Sequence, residues 1–406
     1  MSTIWIINQY TATPATGTPG RHPHLARELA FRGHRVYVIA ARWHHLLRDA
    51  DASEAAPEIE DVEGFKFVRV AMPRYADAHD KRRMLNWLLF AWRVAKIDRV
   101  IKDKPEVILC SSPSLFATLG AERLARKFGA RLVFEVRDIW PLTLVEVGGK
   151  SPLHPLLRVM QWIEDRAYRK ADRVVSNLPG AVEHMVGRGM DREKFSWIPN
   201  GFSALDFDRR QPVEKELLAR IPTGKFVVGY AGTLGAANSL NTFLDAAELL
   251  RDRDGIIFVL LGQGREKAAL VASAAKRNLT NVLFLPPIPK DQVQSALERF
   301  DVCSIGLRAD SLFRFGVSPN KLFDYLIAGK PIIYGIDSGE YQPIKEFSAG
   351  LQVPPQDAAA LADAILRLHS LPAEERLLIG ENGRRAALEH HEYRMLAEKL
   401  EKVLLG

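Results

Sequence analysis

The chain has 406 residues, more than a single hydrophobic core usually serves, so two domains are expected. Hydrophobic residues at 47% and charged residues at 26% exclude a disordered or fibrous chain, and two cysteines exclude a disulfide scaffold. The net charge of +7 and pI of about 9.3 are compatible with nucleic acid, an anionic membrane surface or phosphorylated ligands, and decide between none of them.

Residues 1–7 are too short an apolar run for a secretory signal, and no run approaches bilayer length, so a cytoplasmic protein is expected. Cys110 and Cys303 each end an apolar run and lack metal-ligand spacing, which reads as buried thiols in a reducing compartment. Residues 4–7 read as a strand. A helix is predicted over 21–32, with Leu25, Ala26, Leu29 and Ala30 on one face and Gly33 ending it. Strands follow at 35–40, 65–70, 107–110, 132–136 and 173–176, with amphipathic patterns between most of them. This is the signature of parallel sheets covered on both faces, an α/β doubly wound architecture.

Between the 65–70 and 107–110 strands lies Lys81-Arg82-Arg83-Met84-Leu85-Asn86-Trp87-Leu88-Leu89-Phe90-Ala91-Trp92-Arg93. On a helix, Met84, Trp87, Leu88 and Ala91 form a stripe, with Arg82, Arg83, Arg93 and Lys96 around it. Two readings stand: a helix in an anionic membrane interface, with Arg82, Arg83 and Trp87 as its contacts, or a helix packed on the sheet.

At Ile198-Pro199-Asn200-Gly201 the alternation breaks, and it restarts with strands at 226–231, 256–261, 282–285, 302–305 and 332–334. The expected domains are therefore 1–200 and 201–387. The segment 388–406 carries a further helix pattern, expected to cross back to the first domain.

Ligands of open parallel sheets bind beyond the carboxyl ends of strands, where helix N-termini present free N–H groups. Gly17, Gly20 and Arg21 form one such turn, a candidate phosphate contact. Arg137 and Asp138 leave the 132–136 strand as adjacent charges. Gly232 and Thr233, then Gly264 and Arg265, follow two strands of the second half, and the proline turn with Pro287 and Ile288 leaves carbonyls free to read a base edge. The most specific run is Ser318-Pro319-Asn320-Lys321-Leu322-Phe323-Asp324-Tyr325. Ser318 suits an N-cap and Pro319 a first helical residue; Lys321 adds a cation at the helix start, and Asp324 can accept from a ribose diol.

Residues 318–333, with 134–141 and 198–201, resemble glycosyltransferase family 4, most closely its WbuB-like branch of N-acetyl-L-fucosamine transferases. The resemblance spans almost the whole chain. It implies the GT-B fold, two Rossmann-like domains facing an inter-domain cleft that holds the donor. It implies retaining transfer of an N-acetylated sugar from a UDP-sugar, without a metal, to a lipid-linked or glycan acceptor in bacterial surface polysaccharide synthesis. Arg137 and Asp138 are then the catalytic candidates. Asp324 falls on the second Glu of the family's E-x7-E motif, the ribose ligand, while the first falls on Gly316. The family's phosphate-binding Arg and Lys fall on Thr233 and Asn238, and the His of its His-Asp pair on Arg137. Lys321, Arg308 or Arg314 would then have to serve the diphosphate.

Two other readings compete. A UDP-sugar 2-epimerase shares the architecture, but no carboxylate–His set for epimerisation is visible. A non-enzymatic nucleic-acid binder would suit the pI, but the basic residues are scattered and no nucleic-acid motif occurs, so no nucleic-acid partner is expected.

Overall fold

The computed structural model describes residues 1–406 except 18, 19, 57, 76–79 and 81. Thr18, Pro19 and Lys81, which belong to the first glycine turn and to the basic apolar segment, therefore lie outside the described residues. The chain forms two compact units, one of Met1–Pro199 with Tyr393–Gly406, the other of Asn200–Glu392.

The first unit is built on β1 (Thr3–Ile7), β2 (Arg35–Ala41), β3 (Ile59–Val62), β4 (Phe65–Val70), β5 (Val107–Ser111), β6 (Arg131–Val136), β7 (Arg173–Ser176) and β8 (Phe195–Trp197). They are ordered β3-β4-β2-β1-β5-β6-β7-β8, parallel throughout except for β3 against β4. Successive side chains of a strand point to opposite faces, so the continuous apolar run of β1 feeds two cores. Ile4 and Ile6 join Val36 and Val38 on one face, and Trp5 and Ile7 join Tyr37 and Ile39 on the other. The second unit has β9 (Phe226–Ala231), β10 (Ile256–Leu261), β11 (Val282–Leu285), β12 (Val302–Gly306), β13 (Ile332–Gly335) and β14 (Gly350–Gln352). These are ordered β11-β10-β9-β12-β13-β14, all parallel.

Sequence patterning misses β3, β8 and β14. All three are short outer strands, mostly half-exposed, so they carry no long apolar run to betray them. The C-terminal pattern also needs correcting. Residues 388–406 are not one helix: Ala373–His390 is a helix of the second unit, and a separate helix, Tyr393–Leu405, lies on the first. The break falls where Glu392 pairs with Phe202 and the Phe202 N–H donates to the His391 carbonyl at 3.0 Å. A tertiary backbone pairing thus interrupts a helical periodicity that continues through it. Tyr393, Leu396, Ala397, Leu400 and Leu404 then pack with Ile4, Ile6 and Leu25.

Both cysteines are buried and free, one in each unit. Among the described residues no helix is long and apolar enough to cross a membrane.

All seven tryptophans precede residue 200, so tryptophan fluorescence reports the first unit alone. Leu400→Ala empties a fully buried site of the C-terminal helix and should cost that unit about 2–5 kcal/mol. Urea unfolding followed by fluorescence should show the loss; an unchanged midpoint would mean that this helix contributes nothing to the core.

Candidate functional site

In the first unit, the strand ends converge on a buried carboxylate. Glu135 stands in the apolar β6 with no exposed surface. Arg21 and His22 open the helix Arg21–Phe31, and both turn inward upon it. Arg21 Nε lies 3.3 Å from Oε1, and its Nη1 donates to the Ile198 carbonyl at 2.9 Å. His22 Nε2 lies 2.5 Å from Oε2, and its Nδ1 lies 2.7 Å from Asn8 Nδ2. The Tyr10 N–H donates to Asn8 Oδ1, so the Asn8 amide must present its NH2 to His22. His22 Nδ1 is therefore an acceptor, the ring is neutral, and Nε2–H donates to Glu135. Burial depresses the His22 pKa in the same sense. Burial alone would raise the Glu135 carboxyl; the charge of Arg21 and the His22 hydrogen bond, with Arg137 nearby, outweigh it and hold Glu135 ionised.

Beyond this anchor β6 delivers Arg137 and Asp138. Ser112, on the loop after β5, accepts from the Arg137 N–H at 2.8 Å and from the Asp138 N–H at 3.4 Å. One hydroxyl thus fixes the backbone that carries both charges. The surrounding protein raises the Asp138 carboxyl above the usual carboxylate range, against the opposing charge of Arg137.

In the second unit, the turns after β9 and β10 nest together. A Cβ on Gly262 would lie 2.0 Å from the Gly232 carbonyl oxygen, and one on Gly264 would lie 2.1 Å from that of Leu234. Only glycine allows this approach. Lys321, in the first turn of the helix Asn320–Ile327, reaches over the Gly232 turn. Its ammonium donates to the Tyr230 hydroxyl at 2.9 Å and to Asn238 Oδ1 at 2.6 Å, and it sits 4.7 Å from the centre of the Tyr230 ring. Burial, opposed by Asp324, lowers its pKa to about 8. Asp324, on the same helix, pairs with a lysine of another segment. Both of its oxygens are held at 2.5 Å by Lys290, which follows the proline turn of Pro287 and Ile288. Pro287 is exposed and Ile288 packs partly on the core.

The structure corrects three sequence expectations. Arg21 is buried against Glu135, so it cannot present its charge to a phosphate at the helix start. Gly20 takes the N-cap position there, and Gly17 packs on Ala12. Ser318 is not a cap: Pro319 holds that position and Asn320 begins the helix. Ser318 instead accepts from the Asn200 N–H at 2.9 Å, and its carbonyl accepts from the Asn200 amide at 2.6 Å, tying the helix to the start of the unit. Trp87 is 6% exposed and faces inward, donating to the Tyr10 hydroxyl at 2.7 Å, while Arg83 lies over the Trp87 and Tyr10 rings. Neither is placed to meet a membrane; Arg82 is exposed. Thr233, Arg265 and Arg308 are also exposed, and Arg308 lines a cavity with Gly235, Ser239 and Gln356.

Sequence reasoning missed Asn8, His22, Ser112, Glu135 and Lys290 as members of these clusters. A charged residue inside the apolar run Phe134-Glu135-Val136 was the available signal. Lys290 carried none, because only the fold brings it to Asp324.

Residues 17–201 match the glycosyl transferase 4-like domain, and residues 225–370 match the glycosyl transferases group 1. WcaI of Escherichia coli (strain K12), named as a colanic acid biosynthesis glycosyl transferase, is 26% identical over 361 residues, covering 85% of this chain and 86% of WcaI. The fold is similar to that of sucrose-phosphate synthase from Thermosynechococcus elongatus, with a TM-score of 0.76 at 17% identity, covering 99% of this chain and 98% of that one. It is also similar to Anabaena HepE, solved in complex with UDP and glucose, with a TM-score of 0.68 at 16% identity, covering 100% and 99%.

The buried histidines set an acid limit on the first unit. His22 is neutral when folded, and burial lowers the His44 pKa to about 4. Each protonates near 6.5 once unfolded, so stability falls as pH drops below 6.5, by about 1.4 kcal/mol per pH unit per histidine. Glu135 adds nothing in that window, since its depressed pKa keeps its contribution complete above 4.5. Urea unfolding by tryptophan fluorescence between pH 7 and 5 should show this slope, and His22→Gln should remove one proton's share; an equal slope in the variant would mean that His22 is protonated in the fold.

Proposed function

The chain belongs to glycosyltransferase family 4 and has the GT-B fold, and from that premise we propose that it transfers an N-acetylated sugar from a UDP-sugar with retention. The observation that carries the donor reading is the Lys321 ammonium stationed over the Gly232 turn, with Asp324 one helical turn further on. A nucleoside diphosphate needs a cation beside closely approachable backbone for its phosphates, and a carboxylate for its ribose diol. Lys321 with Gly232 suits the first, and Asp324, oriented by Lys290, suits the second. The turn of Pro287 and Ile288 adjoins Lys290 in sequence and is assigned to the base. Arg308, exposed beside Gly235, is assigned as a further cation.

Thr233 and Asn238 stand where family members carry cations. Asn238 instead accepts from Lys321, so one position supports the ammonium that replaces its charge. HepE was solved with UDP and glucose, and WcaI is named for colanic acid biosynthesis; these support a UDP-sugar donor and a lipid-linked or glycan acceptor in bacterial surface polysaccharide synthesis. Chemistry then rests on stabilising the departing diphosphate, without a metal. Arg137 and Asp138, presented by Ser112, are assigned to the transfer step. The site of action is the cytoplasm, on the inner face of its membrane.

Calorimetry with UDP and UDP-N-acetylglucosamine tests the donor reading. Lys321→Met and Asp324→Ala should each weaken binding by about 10- to 100-fold, the size of a lost charge-assisted contact. Lys290→Ala should weaken it less, because the carboxylate remains. Diphosphate binding requires the protonated amine, so affinity should be constant below pH 8 and fall about tenfold per unit above it, a dependence absent from Lys321→Met. Unchanged affinity in all three variants, or GDP binding as tightly as UDP, would overturn the reading.

Arg137→Ala and Asp138→Ala should lower the turnover of UDP release with acceptor by at least about 100-fold, as loss of a transition-state contact does, with donor affinity little changed. Wild-type turnover in both would make the pair structural.

A further inference from the structure

Three helices, Arg82–Val94, Leu115–Phe128 and Pro155–Lys170, cover one face of the first unit's sheet, the middle one packing against both others. Their inner sides are ordinary core: Phe90 and Val94, Ala121 and Leu124, Met160 and Ile163 are all buried. Their outer sides are not ordinary surface. On the first helix Leu85 (66% exposed), Leu88 (52%) and Trp92 (56%) form a stripe at spacings of three and four residues. On the third, Val159 (48%) and Trp162 (53%) sit three apart. Each exposed tryptophan carries a cation from the next turn: Lys96 Nζ lies 3.4 Å from the centre of the Trp92 ring, and Arg166 5.6 Å from that of Trp162.

The charge of this layer is one-sided. Together with residues 95–104, which follow the first of them, the three helices hold 14 Lys and Arg against 5 Asp and Glu, a net +9 beside the +7 of the entire chain. The acids are already engaged. Asp98 pairs with Lys127, Asp103 with Arg35, Glu122 with Arg126 and Arg166, and Asp165 with Arg188, while Glu164 is buried against Tyr168.

We infer that the outer side of this helical layer docks on an anionic lipid bilayer, with Leu85, Leu88, Trp92 and Trp162 entering the headgroup boundary. Tryptophans backed by cations suit that boundary, where an apolar ring meets phosphate. Exposed apolar clusters on a soluble surface mark a partner, and the charge selects which one. A second copy would set +9 against +9. A nucleic acid would answer the charge but leave the leucines and tryptophans without a counterpart. An anionic bilayer answers both. The placement corrects the sequence expectation of membrane contact through Trp87 and Arg83: the same helix is used, but by its opposite side. The inference concerns the first unit only and is independent of the donor reading.

Co-sedimentation of the full chain with phosphatidylcholine vesicles, with and without phosphatidylglycerol, tests it. Binding is expected only to the anionic vesicles, weakening in high salt. Lys96→Gln and Arg126→Gln should each weaken partitioning roughly fivefold, as one basic residue near anionic lipid does. Trp92→Ala with Trp162→Ala should weaken it further, and quenching of tryptophan fluorescence by brominated lipid should fall in parallel, while far-ultraviolet dichroism stays unchanged. No binding to anionic vesicles at low salt would overturn the inference. So would binding that the tryptophan double variant leaves intact, or a concentration-dependent dimer that the same variant abolishes.

Discussion

A parallel strand buried on both faces has nowhere to place polar chemistry along its length. In both units the apolar runs of inner strands such as β1, β2, β9 and β10 serve two cores at once, and the helices that complete the crossovers cover what remains. Functional groups are therefore driven to one edge, where strands end and helices begin. Arg137 and Asp138, the Gly232 turn, the Gly262–Gly264 turn and Lys321 all occupy such positions. The exception, Glu135, lies inside a strand and is the more informative for it.

Keeping a carboxylate ionised without water demands fixed partners. Glu135 has them in Arg21 and His22, and His22 is oriented in turn by Asn8. The chain of contacts runs from the end of β1 through the first helix to β6, so it locks together three elements that are distant in sequence. Lys321 shows a different balance. Its ammonium is also largely desolvated, but its partners are a hydroxyl and an amide oxygen rather than a carboxylate. Only the charge of Asp324 opposes that desolvation, whereas in the Glu135 cluster Arg21 ion-pairs the carboxylate directly.

The helix Arg82–Val94 illustrates how one amphipathic sequence can carry two apolar faces. Trp87 and Phe90 meet the protein, and Leu85, Leu88 and Trp92 meet its surroundings. A helix apolar on nearly every side is expected only where both sides are in contact with something.

Apolar runs such as Ile4–Ile7 and Ile256–Leu261 declare parallel strands because burial on both faces tolerates little else, and the glycines after β9 and β10 declare close backbone approach for the same steric reason. The positions of Arg137, Asp138, Lys321 and Asp324 at strand and helix ends were equally legible, since end signals are local. Pairing was not. Asp324 meets Lys290, Ser318 holds Asn200 rather than capping a helix, and Arg21 turns inward to Glu135. Side-chain partners depend on which elements the sheet order brings together, and no spacing along one segment encodes that. The same limit hid β3, β8 and β14, whose strand character comes from a neighbour's free edge, and the break at His391, which a pairing with Phe202 imposes on an otherwise continuous helical pattern. Periodicity determined which residues would be buried, but only packing decided against what.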